Sequence, residues 1–127
     1  MKPLKIVYKN QKEVHDYIIE KTKYLLKEVK EAYLIGSLAS GCFGRYVEEY
    51  EGYLGSDIDL VVLPRDEIPK DWRYKGEFHN WYKSYNVREI NIENTAHPVN
   101  LMVPFNEDIQ LFWNKAKELN WKVEKLK

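Results

Sequence analysis

The segment Ser56-Asp57-Ile58-Asp59-Leu60-Val61-Val62-Leu63 decides how this chain folds. Its run of branched apolar residues, stopped by Pro64, predicts a buried strand over Ile58 to Leu63. Residues two apart in a strand face the same way. Asp57 and Asp59 therefore project together, about 7 Å apart at Cα, while Ile58, Leu60 and Val62 face the opposite side. Two carboxylates about 6 Å apart repel by roughly 2–3 kcal/mol at an effective dielectric near 20. A bound divalent cation removes that cost, and oxygen-only ligands suit Mg2+ or Mn2+ better than zinc. A neighbouring Lys or Arg, or exposure at a strand end, would relieve it too.

Upstream, Ala32-Tyr33-Leu34-Ile35 is a second short apolar run, stopped by Gly36-Ser37, and predicts another buried strand. A glycine there lets backbone approach a ligand closely, and N–H groups at the start of a following helix can hold a phosphate. Residues 38–56 are rich in glycine and acid and are expected to form a helix start or a loop. Before them, Asn10 and Glu13 suggest a capping box, and Val14, Tyr17, Ile18, Leu25 and Val29 recur at helical spacing.

Downstream, Phe78, Trp81, Tyr82 and Tyr85 stand at i, i+3, i+4 and i+7 and predict an aromatic-faced helix. Val87 to Ile92 is expected as a strand, followed by a turn-rich break at Glu93-Asn94 and a strand over Val99 to Val103. Asn106 is expected to cap a last helix, with Glu107 and Asp108 in its first turn and Ile109, Phe112, Trp113, Ala116 and Leu119 on its buried face. The whole reads as one α+β domain over residues 1–127, a short mixed sheet flanked by helices.

Composition narrows the function. Twenty basic residues balance twenty acidic ones. A generally cationic surface for nucleic acid is thereby excluded, and no extended nucleic-acid track is expected. The balance is a cancellation: residues 1–30 carry a net +4, residues 31–70 a net −5 and residues 71–127 a net +1. The acidic island holds both Gly36-Ser37 and the aspartate pair. Cys42 is the single cysteine, so there is neither a disulfide framework nor a cysteine zinc site. No apolar stretch approaches the roughly 20 residues of a membrane span, and a cytoplasmic setting is expected. No two of His15, His79 and His97 share metal-ligand spacing. Ten tyrosines and four tryptophans would furnish an interface for self-association.

Leu34-Ile35-Gly36-Ser37 followed by Ser56-Asp57-Ile58-Asp59-Leu60 resembles the signature of the DNA polymerase beta-like nucleotidyltransferases, specifically their minimal nucleotidyltransferase domains. The match covers about residues 32–63. The resemblance implies the nucleotidyltransferase fold and transfer of a nucleoside monophosphate from a nucleoside triphosphate such as ATP to a hydroxyl of a protein or small molecule. It further implies Mg2+ (or Mn2+) on Asp57 and Asp59, with Gly36, Ser37 and Ser56 at the nucleotide. Stand-alone members often pair with a small helical protein partner, in some cases as the antitoxin that adenylylates it.

Two features depart from that pattern. The spacer between Ser37 and Asp57 is longer than in compact members, and surface insertions of this kind cost little. In the family's apolar-acidic-apolar pattern on a later strand, Val99-Asn100-Leu101 puts Asn100 where the third carboxylate belongs. Asparagine offers a carbonyl oxygen but cannot act as a base, and losing a general base typically costs about 10²–10⁴-fold in rate. Glu89 and Glu93 are the substitutes in sequence. The alternative expectation is a nucleotide- or partner-binding module without turnover.

Overall fold

Residues 2–127 are described by a computed structural model. Eleven strands form around three α-helices: β1 (Lys5–Val7), α1 (Gln11–Thr22), β2 (Val29–Ile35), α2 (Ser37–Ser40), β3 (Gly44–Tyr50), β4 (Tyr53–Gly55), β5 (Ile58–Pro64), β6 (Arg73–Phe78), β7 (Tyr82–Asn86), β8 (Ile90–Ile92), β9 (Thr95–His97), β10 (Val99–Pro104), α3 (Ile109–Glu118) and β11 (Glu124–Lys125). The chain is mixed α and β, as its sequence pattern implies.

A six-stranded sheet in the order β11-β2-β5-β10-β7-β6 carries the architecture. Within it β5 and β10 run parallel, and every other neighbouring pair is antiparallel. The central strands are nearly continuous apolar runs because both of their faces are covered. On one face, Leu34, Ile58, Leu60, Val62 and Leu101 pack with Val14 and Ile18 of α1. On the other, Tyr33, Ile35, Val61 and Met102 meet Phe112 and Ala116 of α3. A smaller sheet, β1-β3-β4, and the hairpin β8-β9 complete the fold.

Several local expectations are corrected. Asn10 precedes α1 but makes no side-chain capping bond, so the capping box does not form. The apolar stripe beginning at Val14 runs through three structures: α1 ends at Thr22, a 3₁₀ segment covers Lys23–Glu28, and Val29 already belongs to β2. Tyr17, within that stripe, is exposed. The spacer after Ser40 forms the β3–β4 hairpin, whose turn uses Glu51 and Gly52 at φ 52° and 88°.

The largest correction falls on residues 78–85. These are the end of β6, a tight turn and most of β7, in place of an aromatic helix. His79 and Asn80 adopt φ 53° and 59°, and Trp81 N–H donates to the Phe78 carbonyl at 3.3 Å. Two consecutive left-handed residues form the turn whose twist matches a hairpin. Four aromatics in eight residues satisfy a helical period by coincidence, and aromatic side chains favour strands. Val87 to Ile92 likewise contributes only the short β8 at its end.

The last helix is capped two residues later than expected. Asp108 accepts from the Gln110 N–H at 3.0 Å, whereas Asn106 sits at φ 56° in the preceding 3₁₀ turn. Trp113 and Leu119 are exposed, so the buried face of α3 is narrower than its apolar spacing suggests. The helix stops in a Schellman motif. Asn120 is left-handed at φ 54°, Trp121 N–H donates to Ala116 at 2.9 Å, and Asn120 N–H donates to Lys117 at 3.3 Å. That stop turns Trp121 back onto the α3 cluster.

Candidate functional site

Asp59 stands on the face that β5 shares with α3, and Asp57 immediately precedes the strand and lines a cavity with it. Register fixes the strand's neighbours: Asp59 lies opposite Ile35 on β2 and opposite Asn100 on β10, and Asn100 lies opposite Asn86 on β7. Asn100 Nδ2 donates to Asp59 Oδ1 at 3.1 Å, and Asn100 Oδ1 accepts from the Ser84 hydroxyl. The amide thus turns its hydrogens, and not its carbonyl oxygen, toward the carboxylate.

Gly36 closes the site from the β2 side. It leaves the strand at φ 79°, and a Cβ there would stand 2.8 Å from Asp59 Oδ2. Only glycine satisfies both the left-handed backbone and the close approach. Ser37 follows at the start of the short α2, beside Gly36 on the cavity wall. Ser56 also lines that cavity, yet its hydroxyl is committed to the Gly44 carbonyl at 2.8 Å.

Behind the pair, a buried histidine holds the strand entry in place. His97 Nδ1 lies 2.9 Å from the Ser56 carbonyl, and its Nε2 lies 2.8 Å from the Tyr8 hydroxyl. A carbonyl only accepts, so Nδ1 carries the proton and Nε2 accepts from Tyr8. Burial lowers the His97 pKa, which keeps the ring neutral. A Cβ on Gly55 would fall 2.5 Å from His97 Nδ1, so the backbone just before Asp57 is packed against that ring.

Three cavities meet at the carboxylates. One of about 260 Å³ is lined by Gly36, Ser37, Asp57 and Asp59 and by Lys2 and Lys5. A second, of about 460 Å³, runs from Asp57 past Tyr82 to Asn100 and is bordered by Glu51 and Lys75. A third, of about 410 Å³, extends from Gly36 and Asp59 to Trp81 and the end of α3. Neither Lys2 nor Lys5 forms an ion pair among the described residues, and Lys5 Nζ donates only to the Cys42 carbonyl, at 3.3 Å.

The electrostatics are those of a crowded anion pair. Burial pushes the Asp59 carboxyl up to about 6, with the Asp57 charge adding to the rise and the Asn100 hydrogen bond opposing it. Asp57 keeps surface open to solvent, but the protein around it still raises its carboxyl, and Glu51 adds to that effect. Tyr82, next to the pair, is pushed up to about 12 by burial first and then by Asp59 and Asp57. A carboxylate held near neutrality by burial and a like charge is a common mark of a functional site.

The donor set suits a hard cation. No cluster of three or more His, Cys, Asp or Glu side chains with metal-holding geometry occurs among the described residues. Mg2+ needs no such cage, because it is commonly bound through one or two carboxylates plus waters and substrate phosphates. Two facing carboxylates beside an open cavity meet that requirement.

The other acidic candidates lie elsewhere. Glu89 lines a separate cavity with Asp71, Arg73 and Arg88, and Glu93 occupies the β8–β9 turn at φ 48°. Neither borders the cavities at Asp57 and Asp59. Sequence reasoning overlooked Glu51, Lys2, Lys5 and Tyr82. A period of two at Tyr82, Ser84 and Asn86 was the available signal for the last of these, since all three face the cavity that holds Asn100.

Comparison with known proteins gave no match to a family model, a curated protein or a solved structure.

Proposed function

We propose that this chain is a nucleotidyltransferase of the DNA polymerase beta-like type, acting on a nucleoside triphosphate with Mg2+ at Asp57 and Asp59. The observation that supports this reading is the junction of a carboxylate pair, a glycine forced by close approach to Asp59, and a cavity lined by Lys2 and Lys5, neither of which forms an ion pair within 4.0 Å among the described residues. Lys2 and Lys5 would offset part of the charge of a polyphosphate, the divalent ion offsetting more, and Gly36 and Ser37 would let its oxygens come close to backbone. A divalent ion there neutralises charge on the phosphates and on the entering oxygen.

The reaction forms a bond from the acceptor hydroxyl oxygen to the α-phosphorus and breaks the bond from that phosphorus to the β-phosphate bridge. Pyrophosphate leaves, and the hydroxyl proton passes to solvent or to a base. Asn100 cannot be that base. Its carbonyl oxygen is engaged by Ser84 and its amide hydrogens face Asp59, and this geometry favours a second reading. In it, the chain binds the nucleotide and its cation without turning over, and works through association with another protein.

Titration with ATP, with and without Mg2+, tests the shared part. Binding should require the metal and weaken at least tenfold in Asp57→Asn and in Asp59→Asn. Unchanged affinity in both variants removes the site. Pyrophosphate release separates the two readings: release by the wild type supports the transferase. Release only by Asn100→Asp supports the binding module.

A further inference from the structure

We infer that the cavity at the C-terminal end of α3 receives the base of the nucleotide, an inference that rests on the nucleotide reading above. This cavity of about 410 Å³ shares Gly36 and Asp59 with the lysine-edged chamber, so one ligand can lie across both. Its volume falls within the range of small-ligand pockets, roughly 300–1,000 Å³.

Its wall is the most apolar of the three, although the chamber at Asn100 also carries aromatic rings, at Tyr50, Tyr53, Phe78 and Tyr82. Trp81, Tyr82, Met102 and Trp121 supply aromatic and thioether surface, and Ile35 closes the sheet side. Trp81 and Trp121 have ring centroids 6.2 Å apart, and Trp81 stacks on Phe112 at 6.1 Å. These rings already touch, so a planar ligand lies across the cluster and not between its members. Aromatic surface of this kind accepts any base, because every base has a π-face. Asn120 adds an amide at the rim, where it can meet the polar edge of a base, and Lys122 adds a cation.

Local backbone chemistry builds this wall. The left-handed Asn120 ends α3 and returns Trp121 toward Ala116, placing the indole and the amide at one edge of the cavity. With the phosphates beside Lys2 and Lys5 and the base beside Trp121, the ligand would cross Gly36 and Asp59, which both cavities share. The chamber beyond Asn100 is then left for the acceptor.

Mg-ATP and Mg-tripolyphosphate, titrated in parallel, test the assignment, since the second ligand has phosphates and no base. Leu119 borders the cavity and is 54% exposed, so Leu119→Trp fills the space without touching the core. Leu119→Trp and Trp121→Ala should each weaken Mg-ATP about tenfold and leave tripolyphosphate within twofold, with Trp121→Phe restoring most of the affinity. No loss, or an equal loss for both ligands, overturns the base site while the nucleotide reading stands. Failure of the wild type to bind either ligand overturns both.

Discussion

The two faces of β5 are made of the same seven residues and follow opposite rules. On the α1 side, Ile58, Leu60 and Val62 are 0–1% exposed and belong to the hydrophobic cluster that includes Val14 and Ile18. On the α3 side, Val61 is as deeply buried, but Asp59 stands beside it with its carboxyl pushed up to about 6. One face is packed as tightly as a core allows. The other keeps a charge where burial and a second carboxylate disfavour it, and that is the pattern expected where stability has been given up for binding. Three perturbations probe the contrast.

The largest effect should come from the dry face. Leu60→Ala removes a fully buried side chain and should cost about 2–5 kcal/mol, read by urea denaturation. A loss below 1 kcal/mol would mean that this face is less well packed than its burial implies.

Asp59→Asn should change stability in the opposite direction. A carboxyl raised in the folded state binds its proton more tightly there than in the unfolded chain, whose value is near 3.8. Its penalty is therefore absent below about pH 4, grows as pH rises, and is complete above about 6. At pH 7.5 the variant should be more stable by about 1–2 kcal/mol, and the gain should vanish by pH 4. Denaturation at the two pH values checks this. A loss of stability at pH 7.5 would show that Asp59 is a structural partner of Asn100 and not a strained ligand.

The smallest shift is expected for Asn100→Asp, which adds a third carboxylate beside Asp59. Without divalent ions it should lower stability by about 1 kcal/mol at pH 7.5. Millimolar Mg2+ should restore it by more than it raises the wild type, as followed by thermal melting. A melting temperature indifferent to Mg2+ would place position 100 outside any cation site.

The same contrast explains what could be read before the structure. β2 and β5 were legible because Ala32 to Ile35 and Leu60 to Leu63 are unbroken apolar runs, the first stopped by a glycine and the second by a proline. Asp57 and Asp59 line one cavity, but Asp57 lies just before β5, so strand period accounts for the facing of Asp59 and not for that of Asp57. Residues 78–85 were misread because eight residues with four aromatics fit two periods, and the left-handed turn at His79-Asn80 carries no glycine to announce it. Lys2 and Lys5 were seen only as a charge count. Their position beside Gly36 depends on β1 pairing with β3, a contact between Lys5 and Tyr46 that no local pattern encodes. Glu89 and Glu93 do not reach the aspartates because β7, one segment earlier than Val87–Ile92, takes the place beside β10.

The parallel pairing of β5 with β10 has a consequence for how the site comes into being. Ile35 meets Asp59 across 24 residues, and Asn86 meets Asn100 across 14, each within an antiparallel pair. Ile58 and Val99, by contrast, join over 41 residues. Closing the longest of these loops costs about 1 kcal/mol more than the shortest. Two antiparallel halves therefore form over short range, and the carboxylates lie on the seam where they meet. A nascent chain released only as far as β9 already carries Asp57 and Asp59, yet it lacks Asn100, Met102 and Trp121. Asn100, Met102 and Trp121 come beside the carboxylates only when both halves of the sheet are joined, so the candidate site depends on that seam.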